Sequence, residues 1–583
     1  MLSKNYVKVL YIDLTTKRVK IERREDLLEY IGGSGVATKL FSENVRVSED
    51  PLSPEQPAVF AIGPMNVIFP IVTKTAAVFR SPLTGNLGET HAGGRLSLAM
   101  RFSGYDAMVI TGRSKNPVYI AITHDAIDIK DAGFLWGEKV ERTGKVLRDR
   151  EARIGSGKRS IIRIGVAGER LIRFASVNVD TYRHFGRLGL GALFGSKNLK
   201  AIVVGGNRSY SIMKPKEYKS VYEEILSIAT ESDAMKKYHE IGTPVNVVPL
   251  NKSQGLPTRN LTSTTFELAE AVDGVSFAEE LLLRKLSCSG CPIGCIHIGL
   301  LRMDFGPGYE TKFTSVGYDY ELIFALGSMI GVGNKRDILL LIDTVEEYGL
   351  DAMSTGVILA WMTEMVKTGR LSADLVGVDL DFGNTKAYLA VIDKLIERPN
   401  EFYRDAGHGL SYLAKKYGGE QFAMTLGGNE MTGYHTGYGA ILGQAVGARH
   451  SHLDNAGYAL DQSLKEFDKE KIVKSLIAEE IDRCMLTSLH ICLFARKIYG
   501  DKNLVTRALS SIGIETSPDD LTAKGEKIWR LKNKIKRDLG FDINKLSFPK
   551  RFFETPSMNG PLDEKTAREL LDLYIKEANF SET

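Results

Sequence analysis

The apolar and polar positions of the chain fall into two textures. In residues 1–210, short apolar or alternating runs are separated by Gly, Pro, Asn and Ser, the pattern of strands and turns. Residues 7–14 and 18–23 flank Thr15-Thr16 and predict an opening hairpin. Further strands are predicted over 58–62, 76–79, 107–111, 118–123, 161–164, 172–177 and 201–204. Between them lie three glycine-rich turns, Gly32-Gly33-Ser34-Gly35, His91-Ala92-Gly93-Gly94-Arg95 and Gly186-Arg187-Leu188-Gly189-Leu190-Gly191. None is a P-loop, and none sits in a strand–turn–helix dinucleotide unit. They predict either tight turns or backbone amides that approach a phosphate.

Beyond residue 210 the apolar positions recur with a helical period over 215–232, 335–348, 355–367 and 387–396, then over 465–482, 492–499, 522–537 and 564–578. Gly349 stands where the second of these should close. A chain of 583 residues is too long for one core. The expected fold class is α+β: an N-terminal β-rich domain over 1–210, then two mainly α-helical domains over 211–417 and 418–583.

Composition narrows the function. The net charge of +4 is too small for a nucleic-acid binder, yet allows a local basic patch facing an acidic protein. The basic helix over 524–537 is either such a face or a plain solvated one. No run of 18 apolar residues exists, so no membrane span is expected. Met1 to Asn5 lead straight into the first strand pattern without a signal sequence, and five cysteines, three of them clustered, are no disulfide framework. The expected setting is cytoplasmic and reduced, and an exposed cluster would favour an anaerobic one.

The chemistry is concentrated in Cys288-Ser289-Gly290-Cys291-Pro292-Ile293-Gly294-Cys295, a C-x2-C-x3-C loop. Thiolates so close select an iron–sulfur cluster, zinc or copper(I), the alternative being three buried free thiols. A 4Fe-4S cluster needs a fourth cysteine, and Cys484 and Cys492 are the candidates. Either makes the loop a clamp between the middle and the end of the chain, at a domain interface.

Several ordered pieces resemble the tungsten-containing aldehyde:ferredoxin oxidoreductase family over nearly the full length. They are Ser81-Pro82-Leu83-Thr84-Gly85, Gly104-Tyr105-Asp106-Ala107, Gly195-Ser196-Lys197-Asn198-Leu199-Lys200-Ala201, Cys291-Pro292-Ile293-Gly294-Cys295, Tyr320-Glu321 with Ala325-Leu326-Gly327, Gly349-Leu350-Asp351 and Cys492-Leu493-Phe494. The resemblance implies a tungsten (or molybdenum) bis-pterin without a protein ligand to the metal, cradled by the β-rich domain. It also implies one 4Fe-4S cluster on Cys288, Cys291, Cys295 and Cys492, and magnesium between the pterin phosphates. The family's pterin motif D-x-x-G-L-(D/C) falls first on Glu346, Gly349, Leu350 and Asp351, with Glu for the leading Asp. It falls again on Thr487, His490, Ile491 and Cys492, with Thr and His for the motif's Asp and Gly. On the phosphate side, His91 stands for an Asn and Lys74 for an Arg, beside Gly93 and Gly94, while Arg187, Gly189 and Gly191 match. Leu340 and Asp343 stand where some members bridge subunits through a metal, so that metal-bridged dimer is not expected.

The activity implied is oxidation of an aldehyde to a carboxylic acid, with electrons passing through the cluster to ferredoxin or a polyferredoxin-like subunit. Two rivals remain: the tungsten subunit of a class II benzoyl-CoA reductase, and a non-catalytic cluster-binding electron carrier. By register the acid–base pair is Glu321 with His450; His452 is the alternative histidine, and Glu310 is a similar but poorer match to Glu321. A carboxyl followed by five apolar residues should be buried, with its pKa raised.

Overall fold

The computed structural model describes residues 5–308 and 310–580. Met1 to Lys4 of the chain's opening and Tyr309, beside Glu310, lie outside the described residues.

Two six-stranded sheets form the N-terminal part. The first is built from β1 (Val7–Asp13), β2 (Arg18–Arg24), β3 (Ala58–Ala61), β4 (Thr75–Arg80), β5 (Leu87–Ala92) and β6 (Ala107–Thr111), in the order β2-β1-β6-β3-β4-β5. The second contains β7 (Val118–Ile122), β8 (Ile127–Asp131), β9 (Ser160–Arg163), β10 (Val177–Val179), β11 (Arg183–Phe185) and β12 (Leu199–Val204), in the order β11-β10-β9-β12-β7-β8. Alternation along β1 explains the layering: Leu10 and Ile12 point into the core between the sheets, with Phe60, Phe79, Ile120, Ile162 and Ile202. Val7 and Val9 point the other way, beneath the helix Gly33–Asn44. That outer face also receives Ile535 of the helix Pro518–Asp538, which brings the end of the chain onto the first sheet.

The rest is mainly helical around the helix Ala352–Lys367, which is buried over nearly its whole length and mostly apolar, as suits a central helix. Residues 282–318 depart from the expected helical texture. They form a three-stranded antiparallel sheet of β13 (Leu282–Leu286), β14 (Ile296–Asp304) and β15 (Thr311–Tyr318), and the cysteine loop joins β13 to β14.

Three other local predictions are corrected. Residues 172–176 form a buried turn before β10 rather than a strand. His91 lies on β5 instead of in a glycine turn. Residues 492–499 contain only the short 3-10 turn Leu493–Ala495, because the true helix is Lys469–Leu489 and closes at His490 in a left-handed conformation with φ 64°.

Two isolated antiparallel bridges fasten the β-rich part to the helical parts, Ala175 with Leu350 and Val72 with Ile491. Each uses a residue of one of the two motif segments, so both segments are held against the sheets by their backbones.

Candidate functional site

Cys288, Cys291, Cys295 and Cys492 gather at the corner where the three parts meet. The Gly94 carbonyl accepts from Ser289 N at 3.0 Å, the Gly290 carbonyl from Ile71 N at 3.2 Å, and the Ile71 carbonyl from Cys492 N at 3.1 Å. Gly290 and Gly294 take φ values of 77° and 67°, which let the loop turn twice within eight residues. Lys74 is enclosed here. Burial alone would lower its pKa, but Cys492, Cys288 and Cys295 outweigh that and raise it. Burial likewise pushes the Cys288 thiol up, yet Lys74, Arg183, the Gly94 amide and the Thr73 hydroxyl bring it below its usual value. Cys291 and Cys295 are pushed up, to about 12 and about 11, by burial and by the other cysteines. A Cβ on Gly93 would lie 2.6 Å from Cys288 Sγ, so the backbone at 93 is part of the wall around the thiols.

Among the described residues, no three His, Cys, Asp or Glu side chains converge on a single ion. Cys288, Cys291, Cys295 and Cys492 nevertheless neighbour one another with the Lys74 cation beside them, a soft donor set of the kind that holds a thiolate-bound metal centre. Cys484 is elsewhere: its neighbours are Lys532, Glu89, Glu480 and Asp454.

Glu321 lies in the first turn of the helix Tyr320–Leu326, whose N-terminus is capped by Asp319 accepting from Leu322 N. Burial pushes its carboxyl up to about 8, although Gly433 N donates to Oε2 at 3.1 Å. The histidine beside it is His452, with Nε2 3.2 Å from Glu321 Oε1. Burial holds that ring well below its usual pKa, hence neutral.

The expected pairing with His450 is therefore corrected. His450 is fully buried; its Nδ1 donates to the Ala445 carbonyl at 2.9 Å, and its Nε2 faces Asn86 Nδ2 at 3.2 Å. The reason is local. The chain leaves the helix Tyr438–Val446 and reverses at His450, where φ is 54°. Asp454 then pins the loop by accepting from Arg449 N, Ser451 N and Arg449 Nε. Rings 450 and 452 consequently face opposite sides. Glu310 is exposed on the turn between β14 and β15 and approaches neither histidine.

Arg187 ties the first motif segment to Glu430. Its Nε donates to Asp351 Oδ2 at 3.1 Å and its Nη2 to the Glu430 carbonyl at 3.0 Å. Asp351 also caps the helix Ala352–Lys367, accepting from Met353 N. Gly349 closes the preceding helix with φ 76°, packed where a Cβ would lie 2.8 Å from Gly165 N. Gly189 and Gly191 allow close packing: a Cβ on either would meet the carbonyl of Arg173 or Ser176 at 2.1 or 2.4 Å. Glu346, pushed up to about 8 by burial, faces His184 at 3.7 Å.

His91 Nε2 lies 2.7 Å from Glu89 Oε1, and Glu89 Oε2 lies 2.6 Å from Lys532 Nζ. Burial lowers His91 to about 4, so its ring is neutral. His490 stands with its ring 6.0 Å away and its Nε2 directed at the Ala61 carbonyl at 2.9 Å. Thr487 turns its hydroxyl back to the Arg483 carbonyl at 2.7 Å, and Ile491 lies in the bridge to Val72.

The enclosed residues are not wholly sealed. Glu321 and His452 keep 19% and 13% of their side-chain surface accessible, and Glu346, His184 and Arg187 keep 20%, 23% and 16%, although protein surrounds each of them. Glu321 Oε1, His452 Nδ1, His490 Nδ1, Arg183 Nε and Arg187 Nη1 are buried atoms with no aligned hydrogen bond. Buried polar atoms need partners. A large group rich in ring N–H, carbonyl and phosphate oxygens, such as a pterin pair, would satisfy this set.

Sequence reasoning missed Arg183, His184, Glu89, Glu430 and Lys532. No local word marks them; only the fold brings them to the site. The basic helix is also clarified. Lys524, Lys527, Arg530 and Lys534 pair with Asp520, Glu29, Glu526 and Asp538, while Lys532 and Lys536 are buried, so it offers little unpaired charge to a partner.

Among the described residues, no helix is long and apolar enough to cross a membrane. Residues 9–206 match the aldehyde ferredoxin oxidoreductase N-terminal domain, and residues 220–583 match domains 2 and 3 of the same family. The chain is 30% identical to the tungsten-containing aldehyde ferredoxin oxidoreductase of Pyrococcus furiosus, covering 99% of this chain and 96% of that one. It is 31% identical to that of Thermococcus kodakarensis, with the same coverage. It is also 29% identical to the WOR-like subunit of an aliphatic sulfonate oxidoreductase from Pyrococcus furiosus, over 67% of this chain and 64% of that one. Among solved structures it resembles the active-site complex BamBC of benzoyl coenzyme A reductase with 1,5-dienoyl-CoA, at a TM-score of 0.79 and 18% identity, covering 99% of this chain and 95% of that one; this is a likeness of fold. With both family domains matched end to end, the chain belongs to the aldehyde ferredoxin oxidoreductase family.

Proposed function

We propose that the chain oxidises an aldehyde, with water, to a carboxylic acid, releasing two protons and two electrons. The observation that carries this reading is the enclosed Glu321, with its carboxyl raised to about 8, in contact with the neutral ring of His452. In this reading Glu321 takes a proton from the attacking water, and a base whose pKa lies near the working pH suits that task. His452, with Nε2 against Glu321 Oε1, would orient the ionised carboxylate for that step.

Lys74, Gly93, Gly94, Arg187, Glu346 and Asp351, with Arg183 and His184, would hold the bis-pterin; Cys288, Cys291, Cys295 and Cys492 would hold a 4Fe-4S cluster. When bound, the tungsten–pterin group supplies two-electron redox chemistry and the cluster relays single electrons. Lys74 lies among the cysteines, where its charge would offset that of cluster-bound thiolates. The acceptor is a ferredoxin-type protein that meets the cysteine corner, where Ser287, Gly290 and Pro292 are exposed.

The test is anaerobic reduction of a viologen by purified protein supplied with a series of aldehydes, with benzoyl-CoA and reduced viologen as the control arm. Aldehyde-dependent reduction with equimolar acid formed supports the reading. Turnover of benzoyl-CoA alone would replace it.

A further inference from the structure

Three arginines and a histidine from separate segments gather around the turn at Gly407. Arg173 N donates to the Gly407 carbonyl at 2.8 Å. The Arg398 guanidinium lies against the same residue: a Cβ on Gly407 would stand 3.1 Å from Arg398 Nη2 and 3.7 Å from its Cζ. His408 follows, its ring edge-on to the exposed Tyr412 at 4.6 Å. Arg170 reaches the C-terminus of the helix Thr385–Glu397, donating to the Ile396 and Glu397 carbonyls at 2.5 and 3.2 Å, and so stands beside Arg398.

Positive charge is left over here. Among the described residues, Arg170, Arg173 and Arg398 form no ion pair with a carboxylate, and the Arg398 side chain makes no hydrogen bond. Arg173 has only a long contact from Nη1 to the Pro82 carbonyl at 3.4 Å. Arg173 Nε, Arg398 Nε and His408 Nδ1 are buried atoms without a partner. Asp405 is already engaged, its Oδ2 accepting from Lys416 Nζ and the Tyr417 hydroxyl at 2.7 Å each. Burial and Arg170 both lower the Arg398 pKa, and no carboxylate raises it. Burial lowers His408, and Arg173 and Arg398 lower it further. The backbone adds to the case. Arg398 closes its helix with φ 57°, a conformation glycine takes without steric cost, so a guanidinium is held at a corner better suited to a smaller residue.

Arginine stays charged when it is buried, and charges drawn out of water need a counter-charge. A guanidinium fork matches the oxygens of a carboxylate or a phosphate. A carboxylate brings one negative charge and two oxygens. A phosphate group brings up to two charges and at least three oxygens, which suits three arginines and the idle nitrogens of Arg173, Arg398 and His408. We propose that Arg173, Arg398 and His408, backed by the charge of Arg170, form a binding site for a phosphate group, carried by free phosphate or by a phosphate monoester. The site does not depend on the aldehyde reading above.

The experiment is calorimetric titration of the isolated protein with inorganic phosphate, glycerol 3-phosphate and malonate, at an ionic strength fixed with sodium chloride. Binding should be saturable, and the phosphate group should bind about tenfold or more tightly than malonate. That affinity should fall about tenfold or more in Arg398→Gln and in Arg173→Gln. It should be unchanged in Arg113→Gln, which alters an exposed arginine just beyond β6. Tighter binding of glycerol 3-phosphate than of inorganic phosphate assigns the site to a monoester, and the reverse order assigns it to the free ion. A thermal melt separates binding from a structural role. Without phosphate, Arg398→Gln should melt no lower than the parent, because its guanidinium has no partner to lose. With phosphate, the parent's midpoint should rise and that of Arg398→Gln should not. Absence of saturable binding, a preference for malonate, or an affinity untouched by both variants overturns the inference. A midpoint that falls in Arg398→Gln in phosphate-free buffer overturns it as well, since the guanidinium would then serve the fold.

Discussion

Glu321 and Glu346 show how burial sets chemistry one side chain at a time. Both carboxyls are raised to about 8 by removal from water, but Glu321 meets His452 at 3.2 Å whereas Glu346 stands 3.7 Å from His184. As a base, Glu321 works in its ionised form, and that form is scarce below its pKa. The sign follows: kcat/KM should climb about tenfold per pH unit below pH 8 and level off above it. Glu321→Gln should lower turnover by about 100-fold or more and abolish the limb. Glu346→Gln should leave the limb in place, because that carboxyl faces His184 and not the pair. The check is a pH profile of aldehyde oxidation between pH 6 and about 9.5, with iron and tungsten content measured in each variant. A limb that vanishes in Glu346→Gln and persists in Glu321→Gln would exchange the two roles. Glu321 was legible because it sits in a distinctive word, Tyr-Glu followed by an apolar run. The choice between His450 and His452 was not, since a single left-handed residue at 450 reverses the direction of the rings. Glu89, His184 and Glu430 were illegible for another reason: they reach the site through the pairing of distant strands and loops.

At the scale of elements, the cysteine loop is a strand connection pressed against a glycine-bearing strand end. The strands β1, β3, β6, β7, β9 and β12 were readable from alternation or short apolar runs, whereas β8, half-buried and carrying Asp128, Lys130 and Asp131, was not. β13 to β15 hid for a similar reason, since the charged Arg284, Lys285 and Lys312 interrupt any apolar signal. What this hidden sheet does is hold Cys288 and Cys295 at adjacent strand ends. Gly93 then matters through space rather than charge. Gly93→Ala would put a methyl 2.6 Å from Cys288 Sγ, closer than atoms can approach, so the thiol must move. Iron per chain should fall by half or more in Gly93→Ala although every cysteine is kept; an unchanged iron content would mean that Cys288 is not a ligand or that the loop yields freely. Cys492→Ala should lose the iron and Cys484→Ala should keep it, as read by colorimetric iron analysis, because only Cys492 stands with the other three.

For the whole molecule, the question is what holds three parts of the chain around one site before any cofactor contributes. Backbone bridges at Leu350 and Ile491 do part of it. The rest includes an ion pair across the first sheet: Glu89 on β5 with Lys532 of the helix Pro518–Asp538, both almost fully buried at 2.6 Å. Ser34 of the helix Gly33–Asn44 donates to Glu89 Oε1 at 2.7 Å, and His91 shares that oxygen. One carboxylate thus joins β5, the helix over it and a helix from the far end of the sequence. Removing either charge leaves the other buried without its partner, which typically costs about 3–5 kcal/mol, whereas replacing both with apolar groups of similar size costs far less. Lys532→Met and Glu89→Leu should therefore each lower the guanidinium unfolding midpoint of the apo protein, and the double variant should recover at least half of the larger single loss. His91 supplies an independent readout. It is neutral and oriented by Glu89, so Glu89→Leu should also lower pterin content of the isolated protein, while Lys532→Met, which leaves the Glu89–His91 contact standing, should lower it less. Equal pterin loss in both variants, with no recovery of the midpoint in the double variant, would show that the pair acts only through general packing and not as the tie that orders His91.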